Sequence, residues 1–69
     1  MSRFIMVRRR TGTGTETVVT WVNVENINMI SAAAIEPEGT RISMRDGFLI
    51  AEENVSTVLE KIRRAEDDR

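Results

Sequence analysis

The residues of this chain with the clearest potential for chemistry are arginines. Arg8, Arg9 and Arg10 stand together, immediately before a segment of alternating threonine and glycine. Guanidinium groups bind phosphate oxygens bidentately, and the N–H and hydroxyl groups of such a loop supply further donors. The indole of Trp21 is suited to stacking on a nucleobase. These residues, with Thr13 from the loop, form a candidate site for a phosphate-bearing ligand, either a nucleotide or a nucleic acid.

The same features also have a simpler interpretation. Arginines at the end of a strand discourage aggregation between sheet edges, and a lone tryptophan is more often packed in a core or an interface. The formal net charge of −1 lacks the strong positive bias of most nucleic-acid-binding proteins. We therefore rank the phosphate ligand as the second hypothesis, behind a protein partner.

Groups for catalysis and for metal binding are scarce. The chain has no histidine, cysteine or tyrosine, so the commonest general base, the thiol nucleophile and the usual zinc ligands are missing. The acid pairs Glu52-Glu53 and Asp67-Asp68 are expected to be solvated charges. The threonine–glycine segment resembles a phosphate loop but lacks its Gly-Lys-Ser/Thr ending. The sequence predicts a protein that is not an enzyme and uses no metal or cofactor.

Two predicted strands position the arginines and Trp21. Residues 4–10 are rich in apolar and β-branched side chains, and residues 17–24 alternate with a period of two. Together they predict a hairpin around the threonine–glycine loop. Residues 25–28 then predict a turn and residues 29–35 a third strand, although the alanines in that segment favour helix.

A second hairpin and a helix complete the predicted layout. Asp46-Gly47 between two alternating segments favours a type I′ turn, which would place Met44 opposite Leu49. Asn54 is the predicted cap of a helix, and an apolar stripe at helical spacing follows it, formed by Val55, Val58, Leu59 and Ile62. The predicted fold class is α+β: a single domain, residues 1–69, with a small curled antiparallel sheet of about five strands and one C-terminal helix.

One helix of this length covers only one face of the sheet. Alternation leaves Arg41, Arg45, Phe48 and Ile50 on the other face, and arginine and aromatic residues dominate the energetics of interfaces. A chain of 69 residues without disulfides or zinc ligands needs another source of stability, which self-association supplies. We therefore predict that these four residues form an interface with a second copy or a protein partner. The alternative is a barrel that buries them within one molecule.

The sequence also bears on location. No segment approaches the roughly 20 apolar residues of a membrane helix, and the apolar stretch near the N-terminus is too short for a signal peptide. We expect a cytoplasmic protein that does not act at a membrane.

Three segments resemble the small FlbD/SwrD-type proteins linked to flagella and swarming. They are residues 21–30 (WVNVENINMI), 40–47 (TRISMRDG) and 52–62 (EENVSTVLEKI). The resemblance implies the same succession of strands, Asp-Gly hairpin and terminal helix. The first hairpin departs from the pattern, which is usually shorter there. Small binders of this shape also occur among phage-encoded inhibitors, so we expect a prokaryotic or phage protein that regulates or inhibits its partner.

Overall fold

A computed structural model describes residues 3–11, 16–33 and 39–67. Their helices and strands follow the chain in this order: β1 (Phe4–Arg10), β2 (Thr17–Asn23), a single 3-10 turn (Val24–Asn26), β3 (Ile27–Ala32), β4 (Thr40–Met44), β5 (Gly47–Ala51) and α1 (Val55–Asp67). The candidate residue Thr13 and most of the predicted loop around it lie outside the described residues. Among those described, no helix is long and apolar enough to cross a membrane.

The strands form one open antiparallel sheet in the order β2-β1-β5-β4-β3. The predicted α+β fold, with about five strands and one C-terminal helix, is confirmed. The sheet does not close into a barrel within the described part of the chain, because β2 and β3 are its two edges. Side chains left off the core therefore stay at the surface rather than entering a barrel interior.

The first hairpin is formed as predicted. Strands β1 and β2 pair without interruption from Phe4 opposite Asn23 to Arg10 opposite Thr17. Because directly opposed residues share a face, this register places Ile5, Val7 and Val22 together in the core.

The third strand begins earlier than predicted. The side chain of Asn23 accepts a hydrogen bond from the backbone N–H of Glu25 at 3.0 Å and so starts the 3-10 turn. The strand then runs from Ile27 to Ala32, two residues earlier at its start than the predicted range of 29–35, of which residues 34 and 35 lie outside the described residues. A bulge between Ile27 and Met29 disturbs the alternation, which is why the sequence pattern misplaced the start.

The second hairpin forms with a different turn from the one predicted. Met44 pairs with Gly47, and Ile42 with Leu49, so the two-residue turn is Arg45-Asp46. A type I′ turn needs positive φ at both central residues, whereas among the described residues only Gly47, at φ +151°, has a positive φ. The predicted pairing was wrong by one residue on each strand. The predicted faces survive, because moving both strands by one residue preserves the alternation.

The core lies between the sheet and α1. Its buried apolar side chains come from every strand except β3, together with Val58 of the helix; they are Ile5, Val7, Val22, Ile42, Leu49, Ala51 and Val58. The predicted helix cap is confirmed, since the Asn54 side chain accepts the backbone N–H of Thr57 at 2.9 Å. Leu59, predicted to lie on the apolar stripe, is half exposed, which shows that the stripe facing the sheet is narrower than the sequence pattern.

An ion pair between Lys61 and Glu53 stabilises the packing of α1 against β1. Lys61 Nζ lies 3.0 Å from Glu53 Oε2 and donates to the backbone carbonyl of Met6 at 2.7 Å. The backbone N–H of Arg8 also donates to the Glu53 carboxylate, at 3.3 and 3.4 Å. The prediction that Glu53 is a solvated charge was therefore wrong. Its neighbour Glu52 is exposed, as predicted.

Candidate binding cleft and outer sheet face

Most of the exposed apolar surface lies on one face of the sheet. We call the face opposite the buried core the outer face. Among the described residues, eight large apolar side chains are well exposed, and six of them belong to this face; they are Phe4, Met6, Val19, Trp21, Met29 and Phe48. Single exposed apolar residues are normal, but a group of them on one face is typical of an interaction surface.

The three consecutive arginines do not form one site. Arg8 stands opposite Val19, and Arg9 opposite Val18, so strand alternation sends their side chains to different faces. Arg8 shares the outer face with Trp21, two residues beyond its cross-strand partner, a diagonal spacing that long side chains can bridge. Arg9 lies on the inner face of the sheet. The structure therefore divides the three arginines between the two faces of the sheet, with Arg8 on the face of Trp21.

Arg10 is part of the packing of the sheet. It is half-buried, and its guanidinium lies against Gly39, where an added Cβ would be 3.2 Å from Arg10 Nη1 and only 2.5 Å from the carbonyl oxygen of Ala51. Gly39 therefore leaves room for the Arg10 side chain and for the neighbouring β5 backbone. Arg10 is a weaker candidate for ligand binding than Arg8 or Arg9.

A cleft of about 420 Å³ lies between the two hairpins. Among the described residues, β1 pairs with β5 at Arg9 and Ala51, and the backbone N–H of Glu52 donates to the carbonyl of Arg8 at 2.8 Å. Residues from both hairpins and from the 3-10 turn line the cleft; they are Phe4, Arg9, Thr20, Trp21, Val22, Asn23, Asn26, Met44, Asp46, Phe48 and Leu49. We call this the aromatic cleft.

Every aromatic residue of the protein lines this cleft. The sequence contains one tryptophan, two phenylalanines and no tyrosine, and Phe4, Trp21 and Phe48 are 51%, 64% and 56% exposed. Arg9 and Trp21 thus both line the cleft, although strand alternation places their side chains on opposite faces of the sheet. Sequence reasoning missed Phe4 and Asp46 as members of this site, although the scarcity of aromatic residues was a signal that could have drawn attention to Phe4.

The residues of the predicted interface lie largely as expected. Arg41, Phe48 and Ile50 share the outer face through the pairing of β4 with β5. The guanidinium carbon of Arg41 lies 4.1 Å from the centre of the Phe48 ring, a cation–π contact that fixes the orientation of both groups. Ile50 is half-buried, and Arg45 is exposed in the turn.

The cations of the sheet differ from those of the helix. Lys61, Arg63 and Arg64 supply all the ion pairs seen among the described residues, and the hydrogen bond from Arg63 lowers the pKa of Glu60. Arg8 and Arg9 form no ion pair within the described part of the chain. Their charges are thus available to a ligand, whereas the helix charges are satisfied internally.

The described residues do not indicate a metal site. Within them, no three acidic residues lie close enough together to hold a metal ion. The cleft combines three aromatic side chains with one cation, one anion and two amide side chains, a set of groups suited to binding. Comparison with known proteins found no match: no family model, no curated protein and no solved structure matches the chain. The identity of a ligand therefore cannot be inferred from a relative.

Proposed function

We propose that this chain is a small, non-enzymatic, homo-oligomeric binding module that regulates or inhibits another protein by holding it in the aromatic cleft. One observation supports the proposal most strongly. All three aromatic side chains of the protein line the same cleft, each more than half exposed, although a chain of this size gains most by burying such residues.

Burying the exposed parts of these rings favours binding. Full burial of a large apolar side chain is worth about 1.5–3 kcal/mol, and aromatic residues are enriched among the few residues that dominate binding energy. Half of that for each of three rings gives roughly 2–5 kcal/mol toward an interface. A contribution of this size supports specific binding when the polar groups of the cleft also form hydrogen bonds with the partner.

The polar lining favours a protein partner over a purely anionic ligand. Arg9 and Asp46 both line the cleft, together with the amides of Asn23 and Asn26. This set contains a cation, an anion, and donors and acceptors without charge. A polypeptide presents groups complementary to all of them, whereas Asp46 repels a phosphate. We further propose that this partner is a regulatory protein of the cytoplasm.

The test is capture of partners with matched variants. Native protein, Trp21→Ala, Phe48→Ala and Leu59→Ala are immobilised and exposed to lysate of the source cell. Leu59 is exposed like Phe48 but lies on the helix, so its variant controls for a general loss of apolar surface. We expect one protein to bind the native chain and the Leu59 variant but not the cleft variants, and to bind again after separate purification. Equal retention by all four would refute the proposal.

A nucleotide or single-stranded nucleic acid is the second candidate. It is favoured by the presence of both Arg9 and Trp21 in the lining of the cleft, because an aromatic ring and an arginine in one cleft suit a base and its phosphate. Trp21 is the sole tryptophan, so quenching of protein fluorescence reports directly on stacking there. Its contribution to binding is separable from that of the phosphate contacts by changing the salt concentration.

We would titrate nucleotides and oligonucleotides at two salt concentrations. If phosphate is bound, quenching should be strongest at low salt, weaken at high salt, and be lost in Arg9→Ala. The control is Arg63→Ala, whose arginine is exposed on the helix and paired with Glu60. Absence of quenching at low salt would exclude this candidate.

A further inference from the structure

We propose that two copies of this chain join along the outer edge of β2, in antiparallel orientation, with Thr20 on the two-fold axis. This inference rests on the self-association included in the proposed function, and it names the surface that performs it. It follows from three properties of β2: the backbone groups left unpaired, the absence of protection on the strand, and the symmetry of its residues.

Hydrogen bonds at both ends of the first hairpin show which backbone groups of β2 point outward. Val24 N–H donates to the carbonyl of Arg3, and Thr11 N–H to the carbonyl of Glu16. In an antiparallel pair, alternate residues bond to the neighbouring strand. With the observed register, Val18, Thr20 and Val22 bond to β1. The remaining residues, Thr17, Val19, Trp21 and Asn23, direct their N–H and carbonyl groups to the free edge.

Within the described part of the chain, strand β2 shows none of the features that usually protect an edge. Exposed edge strands normally carry charges, proline or a bulge that prevents pairing with another chain. Residues 17–23 contain no charged residue and no proline, and the pairing with β1 has no bulge. The other edge strand, β3, does contain a bulge, between Ile27 and Met29. Of the two edges, β2 is therefore the one prepared for strand addition.

The sequence of β2 is complementary to itself. A two-fold interface requires the same strand to match its own reversed copy. With Thr20 opposite Thr20 of the second copy, Val18 meets Val22 and Val19 meets Trp21. Polar residues, Thr17 and Asn23, meet at both ends. No charged side chain lies along this seam. A partner strand that carried charged residues would have to bury them here and lose their hydration, which disfavours binding.

This register also uses every outward backbone group. The outward residues meet only one another, as Val19 with Trp21 and Thr17 with Asn23, each pair occurring twice. Each such pair exchanges two hydrogen bonds, giving roughly eight across the seam. Centring the pairing on Val19 or on Trp21 instead leaves residues at the strand ends without partners. The seam produces one continuous sheet of ten strands, built from two copies of the five.

The dimer also extends the proposed binding site. Residues Thr20–Asn23 of β2 line the aromatic cleft, and the seam places Val19 of the second copy beside Trp21. The two clefts of the dimer are therefore related by the two-fold axis through Thr20, with Trp21 of each copy next to the seam. A partner with a repeated or extended binding segment would engage both.

A cysteine cross-link tests the seam, since the native chain has no cysteine. Thr20 would form a pair without hydrogen bonds, with Cα atoms about 4.5 Å apart, within the range of a disulfide. We expect Thr20→Cys to form a covalent dimer under mild oxidation. Val18→Cys is the control, because the register separates the two copies of residue 18 by four positions, about 13 Å.

Light scattering completes the test. The native chain is expected at twice 7.8 kDa in the micromolar range. Val19→Lys is expected to raise the dissociation constant roughly tenfold or more, whereas Leu59→Lys, which changes an equally exposed residue on the helix, leaves it unchanged. If the native chain is a dimer, but Val19→Lys does not weaken it and Thr20→Cys does not cross-link it, the proposed seam is wrong. The proposed function would not be affected by that result. A native monomer overturns both the seam and the self-association.

Discussion

Replacing Glu53 with glutamine should weaken the attachment of α1 to β1 and change the acid stability of the protein. The carboxylate lies 3.0 Å from Lys61 Nζ and accepts the backbone N–H of Arg8. Glutamine keeps the shape of the side chain and one acceptor but removes the charge. The variant therefore isolates the electrostatic part of the attachment.

The structure sets the size of the effect. Hydrogen bonds to charged groups contribute about 1.5–3 kcal/mol, and this is reduced here because the Lys61 and Glu53 side chains are 30% and 17% exposed. We expect the free energy of unfolding at neutral pH to fall by about 1–2 kcal/mol. For a domain of this size, the melting temperature should fall by roughly 5–15 °C.

The pH dependence gives an independent signal. Burial tends to raise the pKa of Glu53, but the hydrogen bonds from Lys61 and from backbone N–H groups, with the charge of Lys61, outweigh it and lower the pKa below the ordinary value of 4.5. A lowered folded-state pKa stabilises the fold above the unfolded value, and this stabilisation is lost as the pH falls through the folded value. Glutamine cannot titrate, so Glu53→Gln should lose less stability between neutral and acidic pH than the native protein.

The assay is urea unfolding followed by circular dichroism from neutral to acidic pH, at one protein concentration because self-association stabilises the folded state. The control is Glu52→Gln, a change in the exposed neighbouring acid, which should leave both stability and pH profile near those of the native protein. If Glu53→Gln lost stability on acidification as steeply as the native chain, the ion pair would not hold the helix in the way described.

Four further substitutions test the packing and the helix cap. Ile42→Ala should lower the free energy of unfolding by about 2–5 kcal/mol, because Ile42 is fully buried, whereas Met29→Ala on the outer face should change it by less than about 0.5 kcal/mol; urea unfolding measures both. Asn54→Ala removes the acceptor for Thr57 N–H and should cost about 1 kcal/mol with a loss of helical circular dichroism signal. Gly39→Ala should cost about 1–3 kcal/mol in thermal unfolding, because its Cβ would meet the Ala51 carbonyl at 2.5 Å; an unchanged melting temperature would contradict this.

Local patterns were the reliable part of sequence reasoning. The alternation along residues 17–23 assigned Trp21 and Val19 to one face because a strand repeats every two residues regardless of its neighbours. Asn54 was recognised as a helix cap because a cap needs only the next three residues. The face assignments of β4 and β5 held even though their predicted pairing was wrong. With Gly47 opposite Met44, the turn is one residue earlier than predicted, and this shift moves both strands without changing which residues share a face.

The role of Glu53 could not be read from its neighbours. Its partners, Arg8 and Lys61, lie 45 and 8 residues away in sequence and reach it only after β5 has paired with β1 and the helix has turned back. The bulge in β3 was equally hidden, because it is a shift in the pairing of β3 with β4 between Ile27 and Met29, and the sequence of β3 alone does not show that pairing.

By itself, the sequence determined the kind of surface this protein has: few aromatics, no histidine or cysteine, and a β2 strand without charge. Only the tertiary structure decided where those residues meet. The pairing of β1 with β5 brings the two hairpins together, so that Phe4, Trp21 and Phe48 line one cleft, and the strand order leaves β2 at an edge. Both depend on contacts between distant segments, whose geometry is set by how the strands pair rather than by local preference.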